Sequence, residues 1–356
     1  MSILTNYILK KYMMNFIIVL ISLEIFFVGI DFLQNFKSIP QSANLQLLYL
    51  LYNGFFTLTL ALPLSIVFGW IITLIIFIKN NEFVAFNALG ATNRNIYLPI
   101  IGISTLLLTV MIILQMTPLA YSSDQKRKIL DNQYFTNTKS DIFLKYNEYY
   151  VYFKKLLPLE KKAEDIHIFK VLDNDVVETI IADKAYFQDD KWNIINAKII
   201  TKPKDLDIQT SKIEIRYENS LNTLEGFKPK ILDNVYDNKS DFSILDAISA
   251  IKLLKEQGIK TDKIRSILYN LTIIPFFIIP LILLIFAYAS INSRFFNVGK
   301  FTSIWVFGTL TVWGIFFLLY KFTNGGVVIP EVSILIPMVL WLIISISIYN
   351  KKINSN

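Results

Sequence analysis

Residues 13–33 read MMNFIIVLISLEIFFVGIDFL, with two carboxylates, Glu24 and Asp31, and no cation. A helix rises about 1.5 Å per residue, so this stretch is about 30 Å long, which matches the hydrocarbon core of a bilayer. Five more stretches of the same kind follow, at roughly 55–78, 96–120, 267–290, 302–322 and 327–349. The second of these begins its apolar run earlier, near Leu47. Pro63, Pro99, Pro275, Pro280 and Pro337 lie in or beside them, which membrane helices tolerate because neighbouring groups satisfy the freed carbonyl. Lys10 and Lys11 ahead of the first stretch look like the basic start of a signal peptide. The apolar run is about twice the length of a signal core and no small-residue cleavage site follows, so an uncleaved first span is expected.

Working outward, hydrophobic residues make up 54% of the 356 residues and charged ones only 18%, with a mean hydropathy of +0.47. The net charge is +7, and its distribution matters more than its size. Residues 124–265 hold 25 Lys/Arg and 24 Asp/Glu, and the rest of the chain holds 10 and 4. A polar, nearly neutral block sits inside an apolar, weakly basic frame. This excludes a disordered chain, a collagen-like chain and a conventional soluble enzyme, and it gives no reason to expect nucleic acid as a partner. There is no cysteine and one histidine, His167, so no thiol nucleophile and no Cys- or His-rich metal site is expected. Gly299-Lys300 lacks the other residues of a phosphate-binding loop. No catalytic group, metal or cofactor is therefore expected in the chain itself.

Six spans place both termini on one side. The ends on that side carry Lys10, Lys11, Lys79, Arg94, Arg294, Lys300, Lys351 and Lys352, against Lys37 and Lys321 on the other. Cationic loop ends stay in the cytoplasm, so both termini are expected there and the polar block outside, which in a bacterium is the periplasm. Within the block, β-formers alternate at 149–153, 166–171, 176–181, 184–188, 192–195, 198–201 and 212–217, separated by turn signals at 172–175, 188–191 and 202–205. His167 sits in that alternation and reads as a strand residue. Residues 243–257 read as a helix with Ser243 as N-cap and Gly258 as stop. The expected division is 1–123 with spans one to three, 124–242 as a β domain, and 243–356 with a surface helix and spans four to six.

Two sets of residues stand out. Glu24 and Asp31 lie seven apart and share one helix face. A charge in mid-membrane costs about 2.5–3.5 kcal/mol on insertion scales, so Glu24 should face a polar cavity, face a partner helix or be protonated, as a cavity-lining or gating residue or as a neutral acid in a helix contact, and Asp31 should lie near the outer end. Lys37 and Lys321 are the frame's two outer cations. The loop after span two, residues 79–94, reads as a short helix near 81–90 closed by Gly90. Phe83 and Phe86 form one apolar face, to which Leu89 is a candidate third member, and Glu82 stands at the positive end of the helix dipole. Such a helix suits docking to a soluble partner.

Six spans, a β insert after the third and the spacing Glu82-x-x-Ala85-x-x-x-x-Gly90 together resemble the LptF/LptG family, the permeases of the bacterial lipopolysaccharide exporter. Further matching pieces are Tyr7-Ile8-x-Lys10, Ala185 with Trp192, Pro275, Arg294 with Gly299, and Pro330 with Pro337. Residues 29–36, GIDFLQNF, look more like the LptG member. The basic residues of LptG near the outer end of span one are represented only by Lys37, displaced along the chain. The resemblance implies a polytopic α-helical inner-membrane protein with six transmembrane helices and an inserted all-β, jellyroll-like periplasmic domain. It implies a homologous LptF-type permease as partner, a cytoplasmic LptB-type ATPase dimer that binds ATP and Mg, and an LptC-type bridge anchored in the inner membrane. Lipopolysaccharide would be the cargo, Glu82, Phe83, Phe86 and Gly90 would couple to the ATPase, and Glu24, Asp31, Lys37 and Lys321 would be the candidates for binding the lipid, the lysines through its phosphates, or for gating its passage. Two other classes remain open at this point. One is an ABC-type export permease for lipoproteins or peptides. The other is a membrane sensor or scaffold with a periplasmic β domain, which would need a cytoplasmic output domain that the short loops do not supply.

Overall fold

A computed structural model describes residues 3–132, 139–146, 148–157, 160–172, 175–203, 212–227, 242–256, 260–289 and 296–354. Arg294, the Gly258 stop and residues 173–174 and 204–205 of the expected turns lie outside the described residues. The chain divides into two compact units, one of Met1–Leu130, Ser243–Ile251 and Lys260–Asn356, the other of Asp131–Phe242 and Lys252–Ile259.

The first unit is helical. Helix α1 (Ile3–Asn35) is followed by α2 (Ala43–Lys79), the short α3 (Glu82–Ala88), α4 (Asn93–Leu114) and, after a 3-10 turn at Pro118–Tyr121, α5 (Ser122–Leu130). Later come α6 (Ile244–Glu256), α7 (Asp262–Thr272), α8 (Ile278–Ala287), α9 (Val298–Asn324) and α10 (Ile336–Asn354). Among the described residues, α1, α2, α4, α9 and the helical run 331–352 ending in α10 are long and apolar enough to cross a membrane. A sixth span is made by α7 and the run 274–287 that ends in α8, bent by 47° at the break. The span expected over 267–290 thus starts earlier, with α7, and is broken. Pro275 sits in the 3-10 turn Ile274–Phe277 and brings no N–H to the ladder, so the helix gives way there. The last span also starts irregularly, with a π turn at Glu331–Leu335 ahead of Pro337. Widening the turn gives room to the proline ring, which in a regular helix would press on the carbonyl of Ser333.

Helix α2 is the pillar of this unit. Of its apolar stretch 78% is buried within the protein, against 6% for α1 and 11% for α9. With apolar solvent outside, close packing and interhelical hydrogen bonds hold such helices together. Both operate here. A Cβ added to Gly69 would lie 2.9 Å from the Phe16 backbone, so α1 and α2 cross where only glycine fits. Asn15 Nδ2 donates to Thr73 Oγ1 at 2.9 Å, Tyr12 and Ser104 hydroxyls meet at 3.2 Å, and Trp70 Nε1 donates to the Ile282 carbonyl at 3.3 Å.

The second unit is one antiparallel sheet of six described strands in sequence order: β1 (Lys139–Tyr146), β2 (Tyr149–Leu157), β3 (Lys162–Leu172), β4 (Asp175–Gln188), β5 (Lys191–Thr201) and β6 (Glu214–Thr223). One face carries the core, including Val151, Phe153, Ile166, Ile180, Trp192 and Ile194. Tyr146 at the end of β1 lies 4.4 Å, ring to ring, from Phe227, which follows β6, and its hydroxyl donates to the Glu225 carbonyl. The two ends of the sheet sequence thereby meet over the core. Wrapping is aided by a crease. Paired registers skip one level across the whole sheet, at Asp141, Lys154, Asp165, Asp183, Asn196 and Asn219. Asp141, Asp165 and Asn196, on alternate strands, have φ of 58°, 55° and 54°, a region that short polar side chains tolerate best. On each of β2 to β5 two less buried residues separate successive buried ones at this level, as in Ala182-Asp183-Lys184-Ala185. The pairing register is the same on both sides of this level, so no strand carries an extra residue there, and the one shift in register among the described strands lies elsewhere, at Lys170/Val171 between β3 and β4.

Candidate functional site

Two regions of the helical unit gather the residues singled out in the sequence, one at each end of α2. At the end that bears α3, Asn81 (φ 55°) turns the chain out of α2 and Gly90 (φ 74°) releases it from α3. Phe83 and Phe86 are 4% and 5% exposed. They point into the bundle, where Phe86 meets Phe77 at 5.4 Å edge-on and Phe83 meets Phe286 at 6.1 Å. The apolar face expected from the sequence therefore seats α3 on its own protein. The outward side is made by Val84, Ala85, Asn87, Ala88 and Leu89, with Leu89 79% exposed. Glu82 is half-buried at the first turn. Its Oε2 accepts from the Tyr7 hydroxyl at 2.9 Å and its Oε1 from Asn80 Nδ2 at 3.1 Å. A carboxylate with both oxygens held in place at an accessible helix N-terminus can receive a cation from another protein.

At the other end, Glu24 and Asp31 both face α2, as their seven-residue spacing requires. They meet a polar stripe there, Tyr49, Asn53 and Thr57, each four residues from the next. Thr57 donates to Glu24 Oε2 at 2.7 Å, and Tyr49 donates to Asp31. The second oxygen of Asp31 receives Lys126 Nζ at 2.8 Å, and Lys126 also donates to Asn53 at 3.2 Å. Lys126 lies 5.0 Å from the Phe56 ring centroid. It comes from α5, in the stretch that the sequence reading gave to the β insert, and it is the functional candidate which that reading missed. Glu24 Oε1 and Asn53 Nδ2 are buried and have no partner among the described residues.

Beside this cluster lies a cavity of about 440 Å³. Its walls are apolar and aromatic, with Phe27, Ile30, Leu60, Met111, Trp313 and Phe317 prominent, and Asp31, Gln34, Thr57 and Gln115 add polar groups. Spans one, two, three and five all contribute, with the broken fourth span closing it through Leu271, Ile274 and Pro275. Lys321 is exposed, and its Nζ stands 5.3 Å from the Phe317 ring, so this cation borders the cavity. Lys37 is exposed beyond the end of α1 and does not join the cluster. In the turn that leads into α5, burial and the hydrogen bond to Asp246 raise the Tyr121 hydroxyl above the usual tyrosine range. Among the described residues no group of three or more His, Asp or Glu side chains is placed to hold a metal ion.

Bent and straight apolar spans enclosing a cavity, with a β unit inserted between spans, define a multi-pass membrane protein of the helical class. The family profile described as lipopolysaccharide export system permease LptF/LptG matches residues 6–351, nearly the whole chain, and the chain belongs to that family. It is accordingly a transport subunit of the inner membrane and not itself catalytic. A comparison with curated proteins gives no match.

Proposed function

We propose that this permease draws lipopolysaccharide from the outer leaflet of the inner membrane through the cavity that its first, second, third and fifth spans line and its broken fourth span closes. Moving an acyl chain through water costs about 0.8 kcal/mol per CH₂. A lipid with several chains needs an apolar wall throughout, and the cavity supplies one. The apolar faces of α1 and α9, largely unburied in this chain, are where a homologous permease completes the passage. In this reading the α3 end faces the cytoplasm and docks a dimeric ATPase, which binds ATP and Mg. The β unit lies in the periplasm and hands the lipid to a membrane-anchored bridge protein. Lys321 and Lys37 serve the headgroup phosphates at the outer interface.

The observation that carries the reading is the cavity itself, apolar in its walls and lined with a few polar groups at the end of the bundle remote from α3. Purification in mild detergent tests it. Lipopolysaccharide, an ATPase and a second six-span permease should come down with the chain, and a lone homodimer without an ATPase would remove the reading. Glu82→Lys should leave the protein folded and abolish export, and normal export by that variant would remove the coupling role of α3.

A further inference from the structure

The outward side of α3 explains how a partner could dock, and leaves open how its movement would reach the cavity at the far end of the bundle. Tyr7 supplies a connection. It stands on the first turns of α1, in contact with both α3 and the last turns of α2. Its hydroxyl donates to Glu82 Oε2 at 2.9 Å. Its ring lies 6.4 Å edge-on from Phe86 of α3 and 6.4 Å stacked from Phe77 of α2, and Lys11 Nζ is 5.9 Å from its centroid. Only Tyr among the residues at this joint offers both a ring to the aromatic cluster and a hydroxyl to the carboxylate. Helix α1 runs unbroken from Ile3 to Asn35, so the helix held by Tyr7 at one end carries Ile30, Asp31 and Gln34 into the cavity at the other.

We propose that Tyr7 is a positioning residue that fixes the Glu82 carboxylate for docking and makes α1 move with α3, so that a displacement of α3 is delivered to the cavity wall. This rests on the reading of α3 as the docking element. The joint has two parts, a polar one through the hydroxyl and an apolar one through the ring. Tyr7→Phe removes only the first.

The test uses the complete exporter in vesicles containing lipopolysaccharide. Loss of a hydrogen bond to a charged group changes a dependent equilibrium about ten-fold or more, so Tyr7→Phe should lower lipid released per ATP hydrolysed about ten-fold. Glu82→Ala should lower the same ratio, and the double variant should be no worse than Glu82→Ala alone, because the two groups form one contact. A merely structural role would lower melting temperature and leave the ratio in place. The chain has no cysteine, so cysteines introduced at Ile3 and at Thr92, both exposed and off the outward side of α3, can carry spin labels in an exporter whose other subunits have been made cysteine-free. In the otherwise unsubstituted complex their separation should stay constant between nucleotide states, and it should broaden in Tyr7→Phe. A wild-type ratio in Tyr7→Phe, or a nucleotide-dependent shift of about one helical turn, roughly 5 Å, between the labels of the unsubstituted complex, would overturn the proposal. If Glu82→Lys exports normally, the docking reading fails first. If Glu82→Lys is inactive while Tyr7→Phe couples normally, only the role of Tyr7 fails.

Discussion

The two ends of α2 are built from different materials. At the α3 end, Phe77, Phe83, Phe86 and Phe286 fill the space ring against ring, and the charged group, Glu82, is held at the surface by two donors. At the α5 end, the charged and polar groups Glu24, Asp31, Asn53, Thr57 and Lys126 lie between helices, and a cavity remains beside them. Packed aromatic contacts move as a body, because close-packed interiors transmit strain. A polar cluster beside a void can exchange partners. The comparison teaches that one end is suited to receiving a displacement and the other to yielding to it.

The largest effect should come from disturbing the pillar on which both ends depend. Gly69→Val places a branched side chain against the Phe16 backbone, and the protein should fail to accumulate in membranes, as read by immunoblot. Next, Phe86→Ala should cost about 3–5 kcal/mol of local packing. The permease should remain membrane-inserted while the amount of ATPase retained on purification falls sharply. At the other end, Lys126→Met leaves Asp31 with its tyrosine and asparagine partners only. A loss of about 1–3 kcal/mol is expected, and Asp31→Asn combined with Lys126→Met should recover much of it, because a pair removed together leaves no uncompensated charge. Thermal unfolding of the purified variants measures both. The smallest effect concerns the β unit. Hydrogen bonds from Lys154 and His167 hold the Asp165 carboxyl below the usual aspartate range. A depressed carboxylate contributes stability above its unfolded pKa and loses it as pH falls through the lowered folded value. Asp165→Asn, which keeps the residue's tolerance of positive φ, should lower the melting temperature slightly at neutral pH and converge with the unsubstituted protein in acid, so that the acid limb of the melting profile is flatter.

Much of this was legible in the sequence, and the misses have physical causes. Length and hydropathy gave the spans, because a bilayer sets a length that few other structures demand. The break of span four was signalled by Pro275, but proline alone does not distinguish a tolerated kink from a break, since that depends on which neighbours take up the freed carbonyl. The expected strands 176–181 and 184–188, like 192–195 and 198–201, are halves of the continuous β4 and β5. The alternation slips at Asp183 and Asn196 because both lie in the crease, and a local pattern cannot tell a crease within a continuous strand from a turn. Strand β1, Lys139–Tyr146, was not anticipated. Its Asp141, with positive φ and a hydrogen bond from Tyr152 at 2.6 Å, interrupts an otherwise short apolar run.

The site was half legible. The spacing of Glu24 and Asp31 gave their common face, and the partners Tyr49, Asn53 and Thr57 stand at helical spacing on α2. Lys126 was missed because its run, DQKRK over 124–128, is polar enough to resemble the insert. The signal lay in Asp124 and Lys128, an i, i+4 pair at 2.6 Å that marks one more helical turn before the sheet begins. Phe83 and Phe86 do share a buried face, whereas Leu89, the candidate third member, points outward. Whether such a face meets the protein's own core or a partner is decided by Phe77 and Phe286, and Phe286 lies two hundred residues downstream in sequence.

The central claim is that the lipid passes the end of the bundle where the cavity lies. A photo-crosslinking residue placed at Ile30, which lines the cavity, and at Leu98, an exposed position on α4 near the α3 end, tests it within living cells. The account predicts lipopolysaccharide adducts from position 30 that change with the nucleotide state of the exporter, and none from position 98. Equal adducts at both positions, or none at position 30, would contradict it.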